Sequence, residues 1–97
     1  MATYLVLGNF TDQGIRNVKE TTKRVEAFKQ MSEQANVKVK DVYWCLGQYD
    51  IAAILEADND DTITALGLNI GAQGNIRTQT HRVFSCEEMT KILGKML

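Results

Sequence analysis

The sequence predicts an α+β domain of β-α-β-β-α-β order, with a four-stranded antiparallel sheet and a C-terminal helix. Three observations carry that expectation. Ile51 to Leu55 is apolar without a break, as in a strand that leaves water on both faces. Between Ile15 and Ala35 the apolar period turns helical, with Ile15, Val18, Val25, Phe28 and Ala35 near one stripe. Met89, Ile92, Leu93 and Met96 then recur at i, i+3, i+4 and i+7 behind a capping box, Ser85-Cys86-Glu87-Glu88.

The totals set bounds. A chain of 97 residues has room for a single domain, residues 1–97, and no second core. A domain this small buries only ~60–65% of its unfolded surface, so any burial gained by association counts heavily. A net charge of −1 supplies no field to draw nucleic acid or an anionic membrane, and neither is expected as a partner. No apolar run approaches the ~18–20 residues of a membrane span. Met1-Ala2-Thr3-Tyr4-Leu5 lacks the basic start of a secretion signal. Cys45 and Cys86 stand far apart and outside any C-x-x-C spacing. That pattern points to the reducing cytoplasm and away from a disulfide framework or a zinc site.

In chain order, Thr3 to Phe10 carries Tyr4, Val6 and Phe10 on one parity and Leu5 and Leu7 on the other, a first strand apolar on two sides. Thr11-Asp12-Gln13-Gly14 supplies turn and cap chemistry. A long helix follows from Ile15, broken near Thr21-Thr22 and ending at Asn36, which tolerates a left-handed cap. Val37 to Leu46 is the second strand and Tyr49 to Glu56 the third, joined around Gly47-Gln48. Asp58-Asn59-Asp60-Asp61 opens a second helix with acids at its positive end. Gly67 and Gly71 weaken that helix relative to alanine, which predicts a close approach of helix to sheet as compensation. Asn75 to Phe84 is the fourth strand.

Right-handed crossovers place both principal helices on one face and make the first and third strands the central pair. Those two strands are apolar on both parities, yet helices cover one face only. The bare face would exceed the few hundred Å² of contiguous apolar surface that a monomer normally shows. A second copy related by a two-fold axis is the expected cover, giving a homodimer formed sheet to sheet. The alternative, the C-terminal helix folding back over its own sheet, is disfavoured because one short stripe cannot roof four strands.

With the strands placed, Tyr43-Trp44 followed by Gly47-Gln48-Tyr49-Asp50 and an apolar strand resembles the GYD domain family. Tyr4-Leu5-Val6-Leu7, Asn9-Phe10-Thr11-Asp12-Gln13-Gly14, Val18-Lys19-Glu20 and Gly74-Asn75-Ile76-Arg77-Thr78 extend the resemblance over nearly the whole chain. It implies a ferredoxin-like subunit that dimerises into an α/β barrel, and it brings no assigned reaction.

Six residues are candidates for a site. Asp50, at the head of a buried strand, could be desolvated toward general-base use; the plainer reading is that it accepts backbone N–H groups and pins the hairpin. Arg77 and His81 share one face of the fourth strand and could hold a carboxylate or phosphate. The plainer reading is edge-strand charge that discourages stray pairing. His81 is the single imidazole, so it makes a poor metal or haem ligand, and no metal or cofactor is expected. Tyr43, Trp44 and Tyr49 could wall a ligand pocket or anchor an interface, with Tyr43 and Trp44 on opposite faces. Asp58, Asp60 and Asp61 lack the glycine and distal glutamate of a calcium loop.

The expected function is accordingly a small homodimeric or higher-order domain that binds a small organic ligand or copies of itself. The alternative is a cofactor-free enzyme, monooxygenase- or isomerase-like, with Asp50 as acid–base group, an analogy of fold alone. RNA binding on the open sheet ranks last, because the third strand carries aliphatics where stacking aromatics belong.

Overall fold

A computed structural model describes residues 1–97. Its elements are β1 (Ala2–Phe10), α1 (Asp12–Arg16), a 3-10 turn (Val18–Glu20), α2 (Thr21–Gln34), β2 (Lys38–Trp44), β3 (Ile51–Ala57), α3 (Asp60–Ala72), β4 (Ile76–Val83) and α4 (Cys86–Leu93). The sheet runs β2-β3-β1-β4 with every neighbour antiparallel, the ferredoxin-like arrangement expected from sequence.

Strand alternation sorts the side chains into two layers. Tyr4 faces Leu55 and Val6 faces Ala53 on the side of the helices. The core gathers there around Tyr4, Val37, Ala53, Leu55, Ala57, Ile63 and Leu66. Leu5 opposite Ile54, and Leu7 opposite Ala52, occupy the other side. In β2 a bulge between Val39 and Asp41 inserts Lys40, which keeps both Val39 and Val42 on the helix side, opposite Leu55 and Ala53.

The first helical region breaks earlier than the sequence suggests. Asn17 caps α1 through its backbone N–H to the Ile15 carbonyl, and Thr21 opens α2 instead of interrupting it. Arg24 holds the break together by donating to the carbonyls of Gly14 and Asn17. At the far end Asn36 takes φ 60°, the left-handed stop expected there.

The glycines of α3 correct another expectation. A Cβ at Gly67 or Gly71 would meet nothing within 4 Å, so neither permits a close approach to the sheet. The close approach is at Gly14, where a Cβ would lie 1.9 Å from the Asn75 carbonyl oxygen. There α1 is drawn onto the start of β4: Thr11 N–H donates to the Asn75 carbonyl at 3.1 Å and Thr11 Oγ1 to the Gly74 carbonyl at 2.5 Å.

Candidate functional site

The β2–β3 connection is built around Asp50. Its Oδ2 accepts the Phe10 N–H at 2.9 Å, and its own N–H donates to the Gly8 carbonyl at 2.9 Å. Its carbonyl accepts the Cys45 N–H at 2.8 Å, closing the loop on β2. One residue thus ties the hairpin to the end of β1, and its carboxylate is engaged with backbone. Gly47 takes φ +138°, a conformation that side-chain-bearing residues rarely adopt, and leaves Leu46 wholly exposed beside it.

The other candidates divide between the faces. Trp44 turns toward the helices and its Nε1 donates to Thr21 Oγ1 at 3.0 Å. Tyr43, paired with Ala52, lies on the open side and is 57% exposed. Arg77 and His81 stand opposite Asn9 and Leu5 on that same open side, both exposed. The Tyr49 hydroxyl donates to Gln79 Oε1 at 3.3 Å, and Gln79 is the open-face residue between them. Tyr43 on β2 and His81 on β4 are separated by three strand spacings, ~14 Å. These side chains therefore ring an apolar floor of Leu5, Leu7, Ala52 and Ile54.

A second feature lies on the helix side. α2 packs on β2, whereas α3 packs on β3 and β4, so the two helices part over the middle of the sheet. The gap is a cavity of about 100 Å³ floored by Val6 and Ala53 and walled by Phe28, Met31 and Ile70. Arg24, Gln73 and Asn75 stand at its polar margin. None of the six sequence candidates contributes to its wall.

Where the sheet ends, Tyr4 is buried and its hydroxyl donates to Asp60 Oδ1 at 2.5 Å. The bond to a carboxylate, helped by burial, pushes the phenol pKa above its ordinary value. The Arg82 guanidinium lies 5.9 Å over the Tyr4 ring and 4.4 Å over that of Phe84. It also pairs with Glu88 at 3.1 Å, linking β4 to α4. No three His, Cys, Asp or Glu side chains are grouped so as to hold a metal ion.

Residues 4–93 match the family model described as GYD domain. The chain belongs to the GYD domain family. It is also 28% identical over 81 residues to a Thermus thermophilus protein named glutamine synthetase and cystathionine β-lyase binding protein. That match covers 82% of this chain and 85% of the relative. No helix of this GYD domain is long and apolar enough to cross a membrane.

Within the segment Gly47-Gln48-Tyr49-Asp50 of this GYD domain, Asp50 ties the β2–β3 connection to the end of β1. Sequence reasoning offered the space between helices and sheet as one of two places for a pocket, but named none of the residues that line the helix-side cavity. Its lining comes from six elements, β1, α2, β2, β3, α3 and β4, and no local pattern marks it. The one signal within reach was Gly8, a glycine in a central strand, where a Cβ would meet Ile76 Cδ1 at 2.6 Å beside the cavity.

Proposed function

We propose that this GYD domain is a self-associating protein-binding module: two copies pair sheet to sheet, and the assembly docks on metabolic enzymes. The observation that carries the reading is the half-buried apolar floor of Leu5, Leu7, Ala52 and Ile54, which no helix layer covers, with Tyr43 exposed at its side. Surface area supports it. The chain exposes 6829 Å², roughly 1,200 Å² more than the ~5,600 Å² expected of a folded monomer of 10.9 kDa. Burying that surplus on each of two copies gives an interface of the size obligate homodimers use, ~2,000 Å² or more. The enzyme clients are inferred from the name of the Thermus relative, which suggests glutamine synthetase and cystathionine β-lyase as the first to try. Cys45 and Cys86 are free and exposed, which suits the reducing cytoplasm where such enzymes work.

Sedimentation equilibrium should give a dimer or higher assembly at micromolar concentration, and Leu7→Lys should convert it to monomers that remain folded. Purified glutamine synthetase and cystathionine β-lyase of the same organism, titrated separately, should bind the assembly. A monomeric wild type removes the pairing; an assembly that ignores both enzymes removes the clients.

The helix-side cavity favours a second reading, binding of a small apolar ligand on the order of one aromatic ring. Its wall holds no Asp, Glu, His, Cys, Lys or Tyr, so it offers a place to bind without an acid–base group for turnover. Indole or benzoate at millimolar concentration should raise the melting temperature if the cavity takes such ligands. An unchanged melting temperature argues against it.

A further inference from the structure

We propose that the helix-side cavity takes a small carboxylic acid as its anion, with the apolar body inside and the carboxylate on Arg24 at the rim. The inference rests on the ligand-binding reading of that cavity and names the class of ligand. Phe28, Met31 and Ile70 wall a space of about 100 Å³, room on the order of one aromatic ring. Arg24 is the single charged side chain in the lining, and it is half-buried. It makes no ion pair. The three in the chain join Lys23 to Glu20, Lys29 to Glu26 and Arg82 to Glu88.

What holds Arg24 is backbone alone. Its Nη2 donates to the Asn17 carbonyl, and both Nη atoms reach the Gly14 carbonyl only at 3.5 Å. No hydrogen bond within the chain uses its Nε–H. A second donor stands at the same rim. Gly14 lies against Asn75, whose carbonyl oxygen would be 1.9 Å from a Cβ there, so Arg24 on the Gly14 carbonyl and Asn75 beside it share one end of the cavity. Asn75 Oδ1 accepts Gln13 Nε2 at 2.9 Å, which leaves Nδ2 as the end of the amide without a partner in the chain. The rim thus presents N–H groups around one cation, and the lining holds no carboxylate.

Those features choose among ligand classes. A neutral apolar molecule would displace water from Arg24 and leave its charge without an acceptor, which weakens binding. A carboxylate offsets that loss, because its two oxygens fit the guanidinium fork. A phosphate brings about two charges and three acceptor oxygens, and no cation besides Arg24 lines the cavity to meet them. A zwitterionic amino acid brings an ammonium that needs an anionic acceptor, and the lining supplies none. The fit is to a monocarboxylic acid whose body is a ring or a branched aliphatic chain.

The test compares benzoate with benzamide, a neutral molecule of the same shape, on the full chain. Methyl resonances of Met31 and Ile70 report occupancy, and their titration gives a Kd for each compound. Benzoate should bind about tenfold or more tightly, the difference that a charge-assisted hydrogen bond supplies. Arg24→Gln should bring benzoate down to the level of benzamide and leave benzamide unchanged. Equal affinities in the wild type would overturn the carboxylate assignment while leaving the cavity as a binding site. So would undiminished benzoate binding by a folded Arg24→Gln, or benzoate shifts confined to Arg77 and His81 on the open face. If neither compound moves Met31 and Ile70, the cavity reading goes and this inference with it. Arg24 also braces the break between α1 and α2, so if Arg24→Gln fails to fold, the two compounds on the wild type decide alone.

Discussion

The two sides of β1 share a backbone, a twist and a register, yet they live in different solvents. Tyr4 and Gly8 on the helix side are buried, while Leu5 and Leu7 on the other keep partial access to water despite being as apolar as core residues. What separates them is the layer above, the helices α2 and α3 on one side and no helix layer on the other, where Tyr49 reaches across to Gln79. Strand burial in one chain reports only that chain's own layers; on the proposed pairing, strand composition reports burial in the assembly. The largest expected effect breaks this comparison directly. Leu55→Ala, at a position 2% exposed, should cost about 3–5 kcal/mol in urea unfolding, independent of protein concentration. Leu7→Ala on the open side should cost under about 1 kcal/mol in dilute protein and more as concentration rises, because its missing contact lies on another molecule. Equal, concentration-independent losses would mean that nothing covers the open face.

Next in size is Gly14→Ala. Its Cβ would sit 1.9 Å from a backbone carbonyl oxygen, which cannot swing aside as a side chain can. The clash should separate α1 from β4 and cost ~3 kcal/mol, measured by urea unfolding. A smaller loss is expected at Asp50. Asp50→Ala removes the acceptor of the Phe10 N–H and should cost ~1–3 kcal/mol, with amide exchange of Phe10 accelerating most. If stability is unchanged and a bound ligand or an activity disappears instead, the carboxylate serves chemistry and not the hairpin.

Gly67→Ala reverses the sign. The site is helical, and a Cβ there meets nothing within 4 Å, so alanine should stabilise the monomer by ~0.5–1 kcal/mol. A loss of self-association in the same variant would show that the outer side of α3 also touches another molecule.

Part of this contrast was legible in the sequence. Parity was legible: period-two alternation put Tyr43 and Trp44 on opposite faces, and Arg77 with His81 on one, and pairing with Ala52, Asn9 and Leu5 agrees. Cap chemistry was legible too, since Ser85-x-x-Glu88 and Asn36 act through their own backbone neighbours. The lining of the helix-side cavity was not, because it arises from the distance between α2 and α3, set by packing on different strands. Gly67 and Gly71 misled for a related reason. A glycine in a helix announces a missing Cβ but not which side of the helix it is missing from.

The smallest effect tests α4, the element with the least support from its own chain. The Glu88 carboxyl is held below its ordinary value, first by the Ser85 backbone N–H and then by Arg82. A carboxyl with a lowered folded-state pKa contributes stability that is present in full above the unfolded value, near 4.5, and is lost as pH falls through the folded one. Neutral pH therefore keeps the helix start intact, and acidification below the ordinary carboxylate range should release it. Chemical shifts of Thr90 and Lys91 should move toward coil values over that acidic window, before the core signals of Leu55 or Ile63 change. Glu88→Gln separates the two contributions, since glutamine can still accept the Ser85 N–H but neither titrates nor pairs as an anion with Arg82. It should flatten the acid transition of α4 while leaving its shifts at neutral pH close to wild type. If the wild-type helix instead holds at acid pH until the whole domain unfolds, its order comes from apolar seating on another molecule more than from its cap. That outcome would push the contrast between the covered and uncovered sides of the chain out to its last helix.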